Sequence, residues 1–187
     1  MTTYRVISSD SHIMEPPDLW TSRINEQFKS KAPQVVSEDN GDWWYVDGHR
    51  TNSFQGGSFA GVRFEHPEEL RMSAKWENVR PGAFLIEERI KDLDLDGVDG
   101  EIIYPTEGLL AYNTQDPVLL SAICATYNDA ISEFCKPYPK RVKGIAMINV
   151  DDINGAVEEL ARSRSLGLVG AMITVYPPDA HSYDRAE

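Results

Sequence analysis

Long apolar runs are missing from this sequence, in which no stretch approaches the roughly 20 apolar residues of a membrane-spanning helix. Its first residues also lack the sustained apolar segment of a secretory signal peptide. We therefore expect no membrane partner, and we expect the protein to be soluble and cytoplasmic.

Basic residues are scarce relative to acidic ones, since 18 lysines and arginines stand against 30 aspartates and glutamates and the formal net charge is −12. This balance repels phosphate backbones and argues against nucleic acid as a partner. A phosphate-binding glycine motif is missing as well, because Gly56 and Gly57 do not join a strand to a helix. None of these absences identifies a substrate.

The sequence has only two cysteines, Cys124 and Cys135, and both fall in one predicted helix. Their positions in that helix are about 16 Å apart along its axis, which is beyond the reach of a disulfide. We expect both to be small core residues of a protein from a reducing compartment.

What the sequence does contain is a regular alternation of helical and strand patterns from residue 83 onward. Helices are predicted from Phe84 to Leu95, from the Asp116-Pro117 start, and after a cap at Asp151 or Asp152. The predicted strands lie near residues 4–9, 101–104, 142–149 and 168–175. Successive β-α-β units imply parallel strands with right-handed crossovers, so the predicted class is α/β.

Residues 18–82 interrupt this alternation and are predicted to form an insertion after the first strand. The turn-forming pairs Asn40-Gly41 and Asp47-Gly48 flank strand-like segments and indicate a small antiparallel meander. A loop is expected over residues 55–61. The insertion contributes four aromatic residues that either cover a pocket or form a local cluster that stabilises a hairpin: Trp43, Trp44, Phe54 and Phe59.

The motif Asp10-Ser11-His12, followed by Glu15, stands at the end of the first predicted strand. Because side chains alternate across a strand, Asp10 and His12 should project from the same face. A carboxylate and an imidazole on one face are suitable ligands for a divalent metal. The alternative is that both side chains only hydrogen-bond to nearby backbone.

Several segments of the chain resemble the amidohydrolase-2 group of the amidohydrolase superfamily, which includes relatives of aminocarboxymuconate semialdehyde decarboxylase. The resemblance runs from residue 4 to about residue 178. The segments that carry it are Val6–Trp20, Arg80–Ala83, Asp92–Asp99, Ile103–Thr106, Tyr127-Asn128 and Lys143–Ala146.

The resemblance implies a distorted (β/α)8 barrel that holds one divalent metal. It places Asp10 and His12 at the two ligand positions of the first strand. Zinc is the predicted metal and manganese is the alternative, because a carboxylate replaces the first histidine of many relatives. Glu15 is a weaker candidate: it is a ligand, a partner of His12, or a cap on the following turn.

The sequence accounts for only about four β-α units, whereas a complete barrel has eight. We therefore predict a partial TIM barrel, with residues 1–187 forming a single N-terminal half-barrel domain. The further histidine and aspartate that the family supplies have no counterparts here. His49, His66 and His181 are predicted to be surface residues.

Two functions follow from this prediction. One is a metal-dependent enzyme that hydrolyses an amide or ester, or decarboxylates a small carboxylic acid, with substrate contacts from Tyr104, Thr106 and Glu107 unless these residues form only a structural turn. The other is a catalytically incomplete half-barrel that acts as a structural or oligomerising module. In both cases the two open sheet edges predict pairing with a second copy or with a separate second half-barrel.

Overall fold

The structure is a computed structural model and describes residues 5–54, 75–175 and 183. Seven strands and four α-helices are defined in these residues. The strands are β1 Ile7–His12, β2 Gln34–Glu38, β3 Gly41–Val46, β4 His49–Ser53, β5 Gly100–Tyr104, β6 Val142–Met147 and β7 Gly170–Met172. The helices are α1 Ile86–Asp96, α2 Glu107–Ala111, α3 Pro117–Cys135 and α4 Ile153–Ser165.

The main sheet has four parallel strands in the order β1-β5-β6-β7. A separate antiparallel sheet has the order β2-β3-β4 and belongs to the segment between β1 and β5. The predicted α/β class, with four parallel strands and an antiparallel insertion after the first strand, is confirmed. Parallel strands require crossovers, and α1, α3 and α4 provide them between successive strands.

Local sequence signals account for the helix boundaries. Asp116 accepts hydrogen bonds from the backbone N–H groups of Val118 and Leu119, and Pro117 occupies the first helical position of α3. Asp152 caps α4 through Gly155. Gly97 ends α1 in the left-handed conformation, at φ +69°, where a side chain would be strained.

Some predicted boundaries differ from the observed ones. The first strand lies at Ile7–His12 rather than 4–9, so Asp10 and His12 are part of the strand. The last strand is limited to Gly170–Met172, and the helix α2 was not predicted. His49, predicted to be a surface residue, is exposed and begins the strand β4. The expected loop at 55–61 lies outside the described residues.

The core lies between the parallel sheet and the long helix α3. Ile123, Tyr127 and Ile131 of α3 are fully buried against strand residues such as Ile103 and Val142. Cys124 and Cys135 are buried and unpaired, as predicted. Burial of apolar side chains, of which these core residues are examples, is the dominant favourable contribution to the free energy of folding.

A second part of the core joins the insertion to the barrel segment through stacked aromatic rings. Trp20 donates from Nε1 to the carbonyl of Ile123 at 3.1 Å and packs edge-on against Trp44, with ring centroids 5.6 Å apart. Trp44 and Phe54 are buried against each other. They therefore match the prediction of a local aromatic cluster and not the prediction that they cover a pocket. Trp43 instead lies under the guanidinium of Arg50, 4.4 Å from its ring centroid. Phe59 lies outside the described residues.

The outer strands of the parallel sheet are β1 and β7, and no strand among residues 5–54, 75–175 and 183 pairs with their outer edges. Exposed apolar residues lie beside these edges and along α4. They are Val6, Ile7, Val169, Ile173, Val175, Ile153, Val157 and Leu160. Unpaired edges with apolar neighbours are open to association. In the part of the chain that the structure describes, no helix is long and apolar enough to cross a membrane.

Candidate metal centre at the end of the first strand

Asp10 and His12 lie together at the carboxyl end of β1, with His12 Nε2 3.3 Å from Asp10 Oδ1. Their side chains are 82% and 40% exposed, so a solute can reach both. The strand's alternation brings these two side chains to the same face. The pair is available for chemistry and is not enclosed in the core.

The ring of His12 is held by the loop that follows β5. Its Nδ1 atom lies 2.7 Å from the carbonyl oxygen of Pro105. Because a carbonyl oxygen only accepts, Nδ1 carries the proton, and in the neutral ring the lone pair is on Nε2. Nε2 lies 3.3 Å from Asp10 Oδ1, so two lone-pair donors lie close together. A cation bound by both atoms relieves the repulsion between these lone pairs.

The distance between the two donors fits a metal. Zinc bonds of about 2.0–2.1 Å in a tetrahedral arrangement place two ligand atoms about 3.3 Å apart. Asp10 and His12 therefore fit two positions of such a site. No group of three or more histidine, cysteine, aspartate or glutamate side chains suited to a metal occurs in the described residues. The pair fits as part of a site that needs further donors.

An irregularity in β1 lies next to this pair. Ser8 is opposite Glu101 and Ser11 is opposite Ile103, so β1 has one residue more than β5 over this stretch. The hydroxyls of Ser8 and Ser11 are 2.7 Å apart as a result. An extra residue in a strand redirects the side chains that follow it, and bulges of this kind are frequent next to functional sites.

Glu15 lies beyond the strand and is fully buried. Its Oε1 accepts from the N–H groups of Thr106 and Gly108 at 3.0 and 3.1 Å, and its Oε2 accepts from the N–H of Glu107 at 3.0 Å. Burial raises the pKa of the Glu15 carboxyl, while these N–H groups favour its ionised form. These contacts make Glu15 a cap on the first turn of α2 and not, as in the predicted cap, on the turn that follows Glu15 in the sequence.

Glu107, beside this cap, is also buried and points towards the insertion. Its Oε1 accepts from the hydroxyl of Thr51 in β4 at 2.6 Å, and its buried Oε2 has no hydrogen-bond partner among the residues that the structure describes. Burial raises the pKa of Glu107 to about 8, and the nearby Glu15 carboxylate adds to the shift. At neutral pH this side chain is therefore largely protonated.

The remaining candidates for substrate contact lie on either side of Pro105. The ring of Tyr104 is half-buried, with its centroid 6.0 Å from that of His12. Thr106 donates its hydroxyl to the carbonyl of Ile13 at 2.6 Å, a bond that closes the turn. Thr106 and Glu107 thus make contacts that match the structural-turn alternative, whereas Tyr104 lies near the metal candidates.

The other histidines do not extend the site within the described residues. His49 is exposed on β4 and lines a cavity of about 370 Å³ between the antiparallel sheet and α2, together with Thr51 and Thr114. His66 and His181 lie outside the described residues.

Sequence reasoning missed Arg89, whose side chain reaches the backbone of His12. Arg89 Nη1 donates to the His12 carbonyl at 3.0 Å, and its guanidinium forms a buried ion pair with Glu101. A signal was present, because Arg89 shares the apolar face of α1 with Ile86 and Leu93 at helical spacing. Arg89 and Glu101 line a groove of about 560 Å³. Other residues that line this groove are Ser8, Ser11, His12, Arg80 and Asp92.

The fold is shared with known metal-containing decarboxylase structures. An amidohydrolase from Mycobacterium avium subsp. paratuberculosis superposes with a TM-score of 0.70 at 21% identity, over 92% of this chain and 49% of that one. A 5-carboxyvanillate decarboxylase from Novosphingobium aromaticivorans, with bound manganese and 3-methoxy-4-hydroxy-5-nitrobenzoic acid, has a TM-score of 0.52 at 18% identity, over 91% of this chain and 42% of that one.

A third similar structure is a dihydroxybenzoic acid decarboxylase from a Polaromonas species, with bound manganese and the inhibitor 2-nitroresorcinol. It matches with a TM-score of 0.51 at 18% identity, over 91% of this chain and 38% of that one. No protein-family model and no curated protein matches the sequence. The chain spans half or less of the length of these structures, and the predicted partial barrel of this type is confirmed as a fold.

Proposed function

We propose that this chain supplies the first-strand part of a metal-dependent active site of the amidohydrolase type. The observation that carries the proposal is the pair of lone-pair donors, His12 Nε2 and Asp10 Oδ1, which lie 3.3 Å apart at the carboxyl end of a parallel strand. In barrels of parallel strands that end carries the active site. The fold shared with manganese-containing decarboxylases supports the proposal.

The proposed cofactor is one divalent metal, with zinc or manganese as the two metals to test. When bound, such an ion polarises a carbonyl or carboxylate and lowers the pKa of a bound water. In this proposal His12 binds through Nε2, because Nδ1 is held by the Pro105 carbonyl. Asp10 supplies the negative charge that balances the cation. Glu15 holds the turn that carries Pro105 and Thr106.

The proposed substrate is a small carboxylic acid or an amide or ester, with Tyr104 as the contact from this chain. The half-buried Tyr104 ring beside His12 offers a flat apolar surface next to the metal candidates. The similar structures with bound aromatic acids or phenols favour decarboxylation of an aromatic acid, in which the carboxylate leaves as CO2 and a proton takes its place. Hydrolysis is the alternative reaction for the same site.

A second candidate function is an assembly module, and a specific observation favours it. The outer edges of β1 and β7 are unpaired within the described residues, and exposed valines and isoleucines lie beside both. Closing a barrel removes such edges. We propose that a second half-barrel, either another copy or a separate chain, covers them and brings the missing donors.

The metal proposal is tested by equilibrium dialysis of the purified chain against Zn²⁺ and, separately, Mn²⁺. We expect about one bound ion for each site formed with Asp10 and His12, and we expect this binding to be lost in the His12→Ala variant. The matched control is His49→Ala, which removes an exposed histidine from β4 and should leave binding unchanged. Equal loss in both variants, or no binding by the unmodified chain in any assembly state, would contradict a site at His12.

The assembly proposal is tested by the mass of the chain in solution. We expect a dimer or larger species that dissociates when Val6 and Ile7 are both replaced by lysine. Lysine replacement of Val118, which is exposed on α3, is the control. A monomer that binds metal stoichiometrically would exclude self-pairing, and a metal-free monomer would exclude another copy as the source of the missing donors.

A further inference from the structure

Arg89 is a charged residue on the buried face of α1. Its side chain is 11% exposed and that of its partner Glu101, on β5, is 2% exposed. Nε of Arg89 contacts Glu101 Oε1, and Nη2 donates to Glu101 Oε2 at 3.1 Å. This two-bond arrangement fixes the plane of the guanidinium, so its remaining nitrogen has a set direction.

The remaining nitrogen, Arg89 Nη1, is directed at the end of β1. It donates to the carbonyl oxygens of His12 at 3.0 Å and Gly82 at 3.3 Å. The turn that contains Gly82 is also tied to the chain just past His12, because the Met14 N–H donates to the Ala83 carbonyl at 3.0 Å. The backbone on the carboxyl side of His12 Cα is therefore held from the α1 side at two points.

His12 is thus fixed at two points that lie on different parts of the residue. Arg89 holds its backbone carbonyl, while the Pro105 carbonyl holds Nδ1 of its ring. Fixing both the backbone and one ring atom determines where Nε2 lies, and Nε2 is the ring atom that lies 3.3 Å from Asp10 Oδ1. If either of these two hydrogen bonds is lost, the His12 ring can rotate and Nε2 changes its position relative to Asp10.

We propose that Arg89, oriented by Glu101, is a positioning residue for His12 and sets the direction in which Nε2 is presented to a metal; this inference rests on the function proposed above. The hydrogen bond to the His12 carbonyl is the contact that carries it. Stability alone does not require the ion pair, because apolar side chains of similar volume in place of both partners often leave a protein as stable as before. Two apolar side chains could fill the space but could not hold the His12 carbonyl.

The test compares two variants of the 187-residue chain. Arg89→Met/Glu101→Met removes both charges and keeps the volume, and Arg89→Lys keeps the charge but not the planar fork. In metal-free protein, the ¹⁵N signals of the His12 ring should show the proton on Nδ1. We expect both variants to lose this single-tautomer pattern. The dissociation constant for Zn²⁺ alone should rise about 10- to 100-fold, as for other groups that orient a metal ligand.

The matched control removes a second arginine-carboxylate pair that lies away from His12. Arg162 of α4 pairs with Glu159 and donates to the Ala125 carbonyl at 3.2 Å. Arg162→Met/Glu159→Met should therefore leave the His12 ring signals and the Zn²⁺ affinity unchanged. It reports on the loss of a charged pair without loss of the contact to β1.

The outcomes separate this inference from the proposed function. A folded Arg89→Met/Glu101→Met or Arg89→Lys chain that keeps the Nδ1–H pattern and binds Zn²⁺ within about twofold of the unmodified chain would overturn the positioning role. Absence of Zn²⁺ binding in the unmodified chain would reject the proposed metal site, while the ring signals would still show whether Arg89 orients His12. Equal effects in the Arg162 control would assign the change to general destabilisation.

Discussion

Two carboxylate-containing regions of the molecule differ in exposure and in hydrogen-bond partners. At the end of β1, Asp10 and His12 are accessible, and the atoms that lie 3.3 Å apart are both lone-pair donors. Glu15, three residues after His12, and Glu107, at the start of α2, are buried, and the carboxylate of Glu15 accepts three backbone N–H groups. The same residue types therefore offer reactive atoms in one region and hold the backbone in the other.

The difference shows that the hydrogen-bond partners of an acidic residue decide its role. Glu15 is enclosed by N–H groups that leave its carboxylate little capacity for a further ligand. Asp10 is largely exposed, so its carboxylate remains free to bind a cation. The variants below test this contrast, in order of decreasing expected effect.

Replacement of Glu15 should have the largest effect on stability. Glu15→Gln keeps one acceptor oxygen but points an amide N–H₂ group at a backbone N–H, which leaves buried donors unsatisfied. We expect the free energy of unfolding to fall by about 3 kcal/mol, measured by urea denaturation. Glu26→Gln, at an exposed carboxylate that pairs with Lys29, is the control and should cost less than about 0.5 kcal/mol. Equal costs would show that the buried cap contributes little.

Glu107 should make stability depend on pH. Its pKa is raised from 4.5 to about 8 in the folded chain, so between these pH values the folded state binds more protons than the unfolded state. The contribution of Glu107 to stability is then greatest below pH 4.5 and falls as the pH rises towards 8, by an amount on the order of 3 kcal/mol between pH 5 and pH 8. Denaturation at pH 5 and pH 8 measures this difference.

A neutral side chain at position 107 should remove most of this pH dependence. Gln in place of Glu107 keeps an acceptor for the Thr51 hydroxyl and does not ionise. We expect the free energy of unfolding of Glu107→Gln to differ little between pH 5 and pH 8. Glu133→Gln, at an exposed carboxylate, should retain the fall in the free energy of unfolding with rising pH. An unchanged slope in Glu107→Gln would place the titrating group elsewhere.

The smallest effects on stability are expected at the proposed metal pair. Asp10→Asn should change the free energy of unfolding by less than about 0.5 kcal/mol, because the side chain is mostly exposed. His12→Ala loses the hydrogen bond to the Pro105 carbonyl and should cost about 1 kcal/mol. A cost as large as that of Glu15→Gln would show that Asp10 and His12 are structural residues, in contrast to our proposal.

Much of the fold could be predicted from local signals. Asp116 and Pro117 fix the start of α3 through bonds within the first helical turn, so no distant residue is needed. The helix α2 escaped prediction for the opposite reason. It spans only Glu107–Ala111, and its first turn is capped by Glu15 rather than by a neighbouring residue. A helix this short depends on tertiary contacts, which a sequence pattern does not display.

The sequence by itself determined that Asp10 and His12 share a face, since alternation along a strand is a property of the local backbone. It also determined the β-α order and hence a parallel sheet with crossovers. Only the tertiary structure decided that Glu15 accepts from Thr106, 91 residues away, and that Arg89 holds the carbonyl of His12, 77 residues away. Such contacts depend on where the chain returns in space, and the energy that selects them comes from burial shared by many residues.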